Sequence, residues 1–259
     1  VIPIVGTLAL ALVITPFIKK AAKRVGLIDK PNARKVHSTP VPLAGGISIA
    51  LTTGIALSIN PSFVNHFAEN AVWIFGALTM LVIGALDDRF DIKPLYRLTR
   101  QLGCAFAVAW SGVRITSFQG LFGIDAIPVT MQYGLTMIVI AGVINAYNLM
   151  DGIDGLMGGL SLVSSLVLGV ISYQFDQMEL CFLCLTIAGA VIGFLRHNLS
   201  RKKLFMGDAG SLFLGFVFVV VAIKLLDTAD SRNTTEGIKV LLVVAGIFLV
   251  PVLDSLRVY

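Results

Sequence analysis

Charge is what this chain has least of. Only 14% of its 259 residues are Asp, Glu, Lys or Arg, against about 25% in a typical soluble domain. With 56% hydrophobic residues and a mean hydropathy of +0.89, an ordinary water-soluble globule is excluded. Period-two alternation is missing as well, and long apolar runs without it rule out a membrane β-barrel. Cysteine is nearly absent. Cys104 stands alone, and Cys181 and Cys184 share a CxxC spacing inside the apolar run "LCFLCLTIAGA". A structural zinc needs four ligands and no second pair exists, so these read as lipid- or core-facing thiols. Low-complexity segments, internal repeats and a soluble domain are all lacking.

What is left is the pattern of an all-α, polytopic integral membrane protein. Stretches of the length that crosses about 30 Å of hydrocarbon as helix recur near residues 1–18, 42–60, 70–86, 98–113, 129–147, 158–174, 179–195, 211–227 and 237–254. Nine transmembrane helices are therefore expected, in one membrane domain over residues 1–259, with connections on alternating sides. The first connection carries Lys19, Lys20, Lys23, Arg24, Lys30, Arg34 and Lys35. The third carries Arg89, Lys93, Arg97 and Arg100, the seventh Arg196, Arg201, Lys202 and Lys203, and Arg257 follows the last span. Of the 20 Lys and Arg, only Arg114, Lys224, Arg232 and Lys239 remain for the other side. Lysine and arginine excess marks the cytoplasmic side, so the N-terminus is expected outside. Lys224 is the one base well inside a span, and a long side chain there is expected to snorkel outward.

The acids on the basic side cluster at span ends, in four stretches. "GALDDRFDIKPLYRLTRQL" (84–102) sets Asp87 beside Asp88, with Asp91, Lys93, Arg97 and Arg100 following. Adjacent carboxylates repel unless a cation or base neutralises them. Spaced acids and bases suit a metal–phosphate site, although a solvated helix end with local ion pairs also carries such residues. "NAYNLMDGIDGL" (145–156) places Asn148, Asp151 and Asp154 three residues apart. Were the helix to continue, Asn148 and Asp151 would share a face. Such hard oxygen ligands suit Mg²⁺ or Mn²⁺; the plainer alternative is a polar turn ending a helix.

"LSRKKLFMGDAGSLFLGF" (199–216) offers Asp208 as N-cap of the eighth span. A helix start with small residues is also a ready anion site, so capping and metal binding are compatible there. "GLIDKPNARKVHSTPVPLAGGIS" (26–48) is basic and proline-shaped, and Lys35, His37 and Thr39 suit a lipid phosphate at the membrane surface. Lys19 to Arg24 read better as a positive-inside anchor. Together the stretches supply oxygens for a hard divalent cation, bases for phosphate and a membrane floor. Phosphoryl transfer needs mainly positioning and charge neutralisation.

These motifs, in this order, resemble those of the polyprenyl-phosphate N-acetylhexosamine-1-phosphate transferases. The likeness runs over about residues 18–259. "LDDRFDI" and "DGIDGL" look more like the bacterial branch that uses undecaprenyl phosphate and N-acetylglucosamine than the branch handling the muramoyl-pentapeptide. The resemblance implies transfer of N-acetylglucosamine 1-phosphate from UDP-N-acetylglucosamine to undecaprenyl phosphate, with release of UMP, on the cytoplasmic face of the bacterial inner membrane. That is a first membrane step for O-antigen, common-antigen or teichoic-acid-type polymers. It further implies that Asp208 ligates Mg²⁺ (or Mn²⁺), with Asn148 as second ligand. Asp87 and Asp88 would serve the acceptor phosphate or the metal, and Asp151 and Asp154 nucleotide binding and catalysis. Arg97 would contact the diphosphate, and Asn198 would line the nucleotide pocket.

The donor sugar stays open among UDP-N-acetylhexosamines, as does the oligomeric state, with a homodimer as one arrangement. No nucleic-acid partner is expected. Proteins of this family continue into a His-rich cytoplasmic loop and one or two more spans, whereas this sequence stops at "PVLDSLRVY". Residues 1–259 alone are therefore expected to be inactive or very weak. The competing class is a membrane transporter, whose acids usually lie near the bilayer centre.

Overall fold

Each of the nine apolar segments folds as a helix, and one short helix is added between the second and third. A computed structural model describes residues 2–29, 39–118, 120–121, 126–200, 203–232 and 234–258. The helices are α1 (Ile2–Val25), α2 (Gly45–Ser58), α3 (Pro61–Asn65), α4 (Phe67–Phe90), α5 (Pro94–Trp110), α6 (Val129–Leu149), α7 (Leu156–Gln174), α8 (Met178–Asn198), α9 (Asp208–Arg232) and α10 (Thr234–Val258). Helices prevail because hydrocarbon offers the backbone no partners, so each span must satisfy its own N–H and C=O groups. Among the described residues, α1, α4, α6, α7, α8, α9 and α10 are long and apolar enough to cross a bilayer. The other two expected spans are shorter, α2 with 14 residues and α5 with 17. At 1.5 Å per residue they reach only about 21 and 26 Å. A two-stranded antiparallel ladder, β1 (Ile28–Asp29) with β2 (Val41–Pro42), precedes α2 and delays its start. At α5, Pro94 sets the first turn and Ser111–Gly112 the end.

The bundle is organised around α9. From Ala209 to Ile223 every residue is buried, as expected of a helix apolar on all sides. α9 packs against α2, α4, α6, α7 and α10, while α8 packs against α1, α2 and α7. Lipid supplies no hydrophobic drive between helices, so close backbone contact through small residues matters. Gly46 of α2 shows this: a Cβ there would lie 2.1 Å from the Gly210 Cα of α9. The same contact is stitched by the backbone, since Gly45 N–H donates to the Phe205 carbonyl and Gly46 N–H to the Met206 carbonyl, both at 2.9 Å.

Lys224 does not snorkel. Its Nζ donates to Asn70 Oδ1 at 2.6 Å and lies 5.8 Å from the Trp73 ring centre. Asn70 in turn donates to Glu179 Oε2 at 3.3 Å, so α4, α8 and α9 are tied by a polar clasp away from the α9 N-terminus. A buried partner costs less than leaving the bundle interior, which is why the ammonium stays inside. Cys181 and Cys184 are buried and free, and Cys104 is half-buried and free.

Replacing Gly46 by leucine should lower stability by about 3 kcal/mol or more, because the obstacle is backbone and cannot rotate away. A thermal melt of the purified protein in detergent checks this; an unchanged midpoint would mean that α2 and α9 do not meet as described.

Candidate active site

Helix α9 begins at Gly207, whose carbonyl accepts from Gly210 N–H (3.0 Å) and Ser211 N–H (3.1 Å). The amides of Asp208 and Ala209 have no carbonyl within the helix to reach, as at any helix start. Asp88, in the last turn of α4, takes both: Oδ1 accepts from Asp208 N–H at 2.8 Å and Oδ2 from Ala209 N–H at 3.1 Å. The cap of α9 is thus supplied by another helix, and the expectation that Asp208 caps its own helix is corrected. Gly207 has φ +76°, and a Cβ on it would meet Asp88 Oδ2 at 2.6 Å. Glycine is required there on both counts.

Released from capping, the Asp208 carboxylate turns sideways. Oδ1 accepts from Asn148 Nδ2 at 2.7 Å, and Oδ2 from Arg97 Nη1 at 3.3 Å. Asn148 Nδ2 also donates to Ser211 Oγ at 3.0 Å. The amide nitrogen is thereby committed, and Asn148 lines the cleft. Arg97 is shared, with Nη1 also on Asp87 Oδ2 at 2.9 Å. Asp87 is only 7% exposed, and its Oδ1 accepts from Ile92 N–H at 2.7 Å. The two adjacent acids therefore divide: Asp88 faces α9 and the cleft, and Asp87 holds Arg97 and the turn after α4.

Helix α6 stops at Leu149, so the condition under which Asn148 and Asp151 would share a helix face is not met, and the stretch ends the helix in a polar turn. Asp151 and Asp154 sit in the turn 150–155, which folds back so that both still line the cleft. Burial, with the charges of Asp208 and Asp88, pushes the Asp151 carboxyl well above the usual carboxylate range, opposed by the Gly207 N–H. The turn is fastened by Asn198, whose Oδ1 accepts from Gly155 N–H and whose Nδ2 donates to the Leu204 carbonyl, both at 2.8 Å. Asn198 lines the cleft as expected, but both ends of its amide are engaged.

The resulting cleft has a volume of about 700 Å³, and Asp88, Asn148, Asp151, Asp154, Asn198 and Asp208 are among its walls. Asp29, Lys203 and Phe205 also line it, although sequence reasoning had not singled them out. Proximity to "KPNARK" and "FMGD" was the available signal. Arg97 reaches the site from the side through Asp208. Thr39 is exposed and does not line the cleft; Lys35 and His37 lie outside the described residues.

A divalent cation fits this donor set. Among the described residues the cleft walls hold Asp29, Asp88, Asp151, Asp154 and Asp208, against Lys203 as their one cation. That surplus of negative charge would repel an anionic substrate unless neutralised. No three His, Cys, Asp or Glu side chains among the described residues form a closed cage. Mg²⁺ does not need one, because it takes one or two carboxylates and fills its octahedron with water and substrate phosphate.

Comparison with known proteins places the chain. The model of glycosyl transferase family 4 matches residues 70–226, more than half of the sequence. The chain is 35% identical over 248 residues to the undecaprenyl-phosphate alpha-N-acetylglucosaminyl 1-phosphate transferase of Escherichia coli (strain K12), covering 93% of this chain and 65% of that protein. Against the corresponding Yersinia pestis protein it is 34% identical over 246 residues, with the same coverage of 93% and 65%. A probable undecaprenyl-phosphate N-acetylglucosaminyl 1-phosphate transferase of Bacillus subtilis (strain 168) is 32% identical over 224 residues, 86% of this chain and 62% of that one. The chain belongs to glycosyl transferase family 4. It spans about 62–65% of the length of these curated relatives.

Asp88→Ala leaves two buried amides without an acceptor and should destabilise the protein by about 2–3 kcal/mol, while Asp88→Asn, which keeps one acceptor oxygen, should cost less. Thermal melts of the two variants check this; equal melting points for wild type and Asp88→Ala would remove the cap from the account.

Proposed function

We propose that the protein transfers N-acetylglucosamine 1-phosphate from UDP-N-acetylglucosamine to undecaprenyl phosphate, releasing UMP. The observation that carries the reading is the convergence of Asp88 from the end of α4, Asn148 and Asp151 from the end of α6 and the turn after it, and Asp208 from the start of α9, in one polar cleft of an otherwise apolar bundle. A water-borne nucleotide and the head of a membrane lipid both reach such a place. The names of the relatives supply the undecaprenyl phosphate acceptor and the N-acetylglucosaminyl 1-phosphate group, for which a UDP-sugar is our reading of the donor. The Lys and Arg of the same end, including Lys20, Lys23 and Arg24 in the last turns of α1, support a cleft on the cytoplasmic side of the inner membrane.

The reaction joins an acceptor phosphate oxygen to the β-phosphorus of the donor and breaks the bond to the UMP oxygen. A phosphate monoester loses its second proton near pH 6, so the acceptor is already a good nucleophile and holding it in line matters more than removing a proton. Asp87 is committed to Arg97 and Ile92 N–H, which makes it the residue that aims the guanidinium rather than a base. Arg97, aimed in this way, is placed to stabilise charge on the transferring phosphate. Asp208, Asn148 and Asp151 would hold Mg²⁺ or Mn²⁺, which supplies charge neutralisation to the diphosphate when bound.

Membranes carrying the full-length protein, given labelled UDP-N-acetylglucosamine, undecaprenyl phosphate and Mg²⁺, should yield butanol-extractable label and an equal amount of UMP. Chelation should abolish both, and Asp208→Asn should cut the rate by about a hundredfold or more. Product with a different UDP-N-acetylhexosamine alone would change the donor, and no product with any UDP-sugar would overturn the reading.

A further inference from the structure

Lys203 stands apart from the rest of the cleft. Among the described residues lining it, Lys203 is the one cation facing five carboxylates. Its ammonium is ion-paired with Asp154 across the cleft, and the two side chains are 41% and 36% exposed. An ion pair as open as this contributes about 0–1 kcal/mol. It is readily exchanged for a stronger anion.

The backbone on either side of the pair is fixed by a single side chain. Asn198 holds Gly155, the residue after Asp154, and Leu204, the residue after Lys203. The two chain segments are thus locked at a set separation, and only the ends of the lysine and aspartate are free to rearrange. Arg97, which reaches the site from the side, is engaged by Asp87 and Asp208. Lys203 therefore has the one ammonium in the described cleft that can leave its partner without uncovering a buried charge.

We infer that Lys203 binds the diphosphate of the nucleotide donor, and that Asp154 occupies its ammonium only until that anion arrives. The inference rests on the transferase reading and deepens it. An ammonium on a flexible stem, with three donors, suits a diphosphate whose bridging oxygen gains charge as it leaves with UMP. Asp154 then acts by holding Lys203 extended over the cleft, so that the cation is presented rather than swung out to water. Asn198 positions both.

The test uses the full-length protein with Lys203→Met and Lys203→Arg, read by steady-state kinetics and by calorimetric titration with UDP and with uridine. Lys203→Met should raise KM for UDP-N-acetylglucosamine about tenfold, the loss of one charge-assisted hydrogen bond. The effect should fall on KM for the donor more than on kcat or on KM for the lipid acceptor. UDP binding should weaken by a similar factor, uridine binding should not change, and Lys203→Arg should recover most of the loss. An unchanged donor KM and unchanged UDP affinity in Lys203→Met would overturn the inference, as would equal weakening of uridine and UDP. If wild type forms no lipid-linked product with any UDP-sugar, the transferase reading fails. The titration still decides this one: UDP binding that Lys203→Met weakens retains Lys203 as a diphosphate ligand, and wild type that does not bind UDP removes it.

Discussion

The carboxylate of Asp88, spread over the first two free amides of α9, is the contact on which the rest of the site depends. α9 is the most deeply enclosed of the candidate spans, and its first amides need acceptors that its own helix cannot supply. A cap from its own chain would have consumed Asp208. Because α4 supplies the cap, Asp208 is free to meet Asn148 and Arg97 and to face the cleft. These two hydrogen bonds thus complete the core helix and leave the Asp208 carboxylate facing the cleft. Gly207, with no side chain and positive φ, is the space that makes this approach feasible.

Charge in the site follows an uneven plan. Acids are concentrated inside the cleft, whereas Arg97 enters obliquely and Lys203 is held at one wall. An excess of carboxylates in a part-buried space is unfavourable on its own: burial first, and then the charges of Asp208 and Asp88, push the Asp151 carboxyl upward. Under the proposed reading, a small divalent cation and the phosphates it carries would complete such a space. The polar clasp of Lys224, Asn70 and Glu179 follows the opposite plan, with its charges paired within the protein. It holds helices together and leaves no surplus to attract a ligand.

Much of the fold could be read from the chain because hydrocarbon imposes a simple rule: a long apolar run must be a helix. All nine apolar segments obey it. Their bounds were less legible, since a strand ladder delays the start of α2 and Pro94 starts α5 ahead of its apolar run, features local to their ends. The site residues were legible through composition, because carboxylates, asparagines and glycines are conspicuous between apolar spans. Their division of labour was not. Asp87 and Asp88 are neighbours in sequence with different duties, and Asn198 looked like a pocket wall before both ends of its amide proved to be fastened. Lys203 passed for one of a run of bases, because nothing in that run distinguishes the lysine that meets Asp154.

The sequence by itself determined the class of protein, the helices and the set of polar residues near one another at the helix ends, since each of these follows from local composition and from the solvent that surrounds it. The tertiary structure alone decided which oxygen faces which nitrogen. Asp88 caps a helix 120 residues away, Asp208 is turned toward Asn148 rather than its own backbone, and the turn after α6 is pinned to the segment before α9. These are pairings between distant segments, set by how α4, α6, α8 and α9 pack, and no local pattern specifies them.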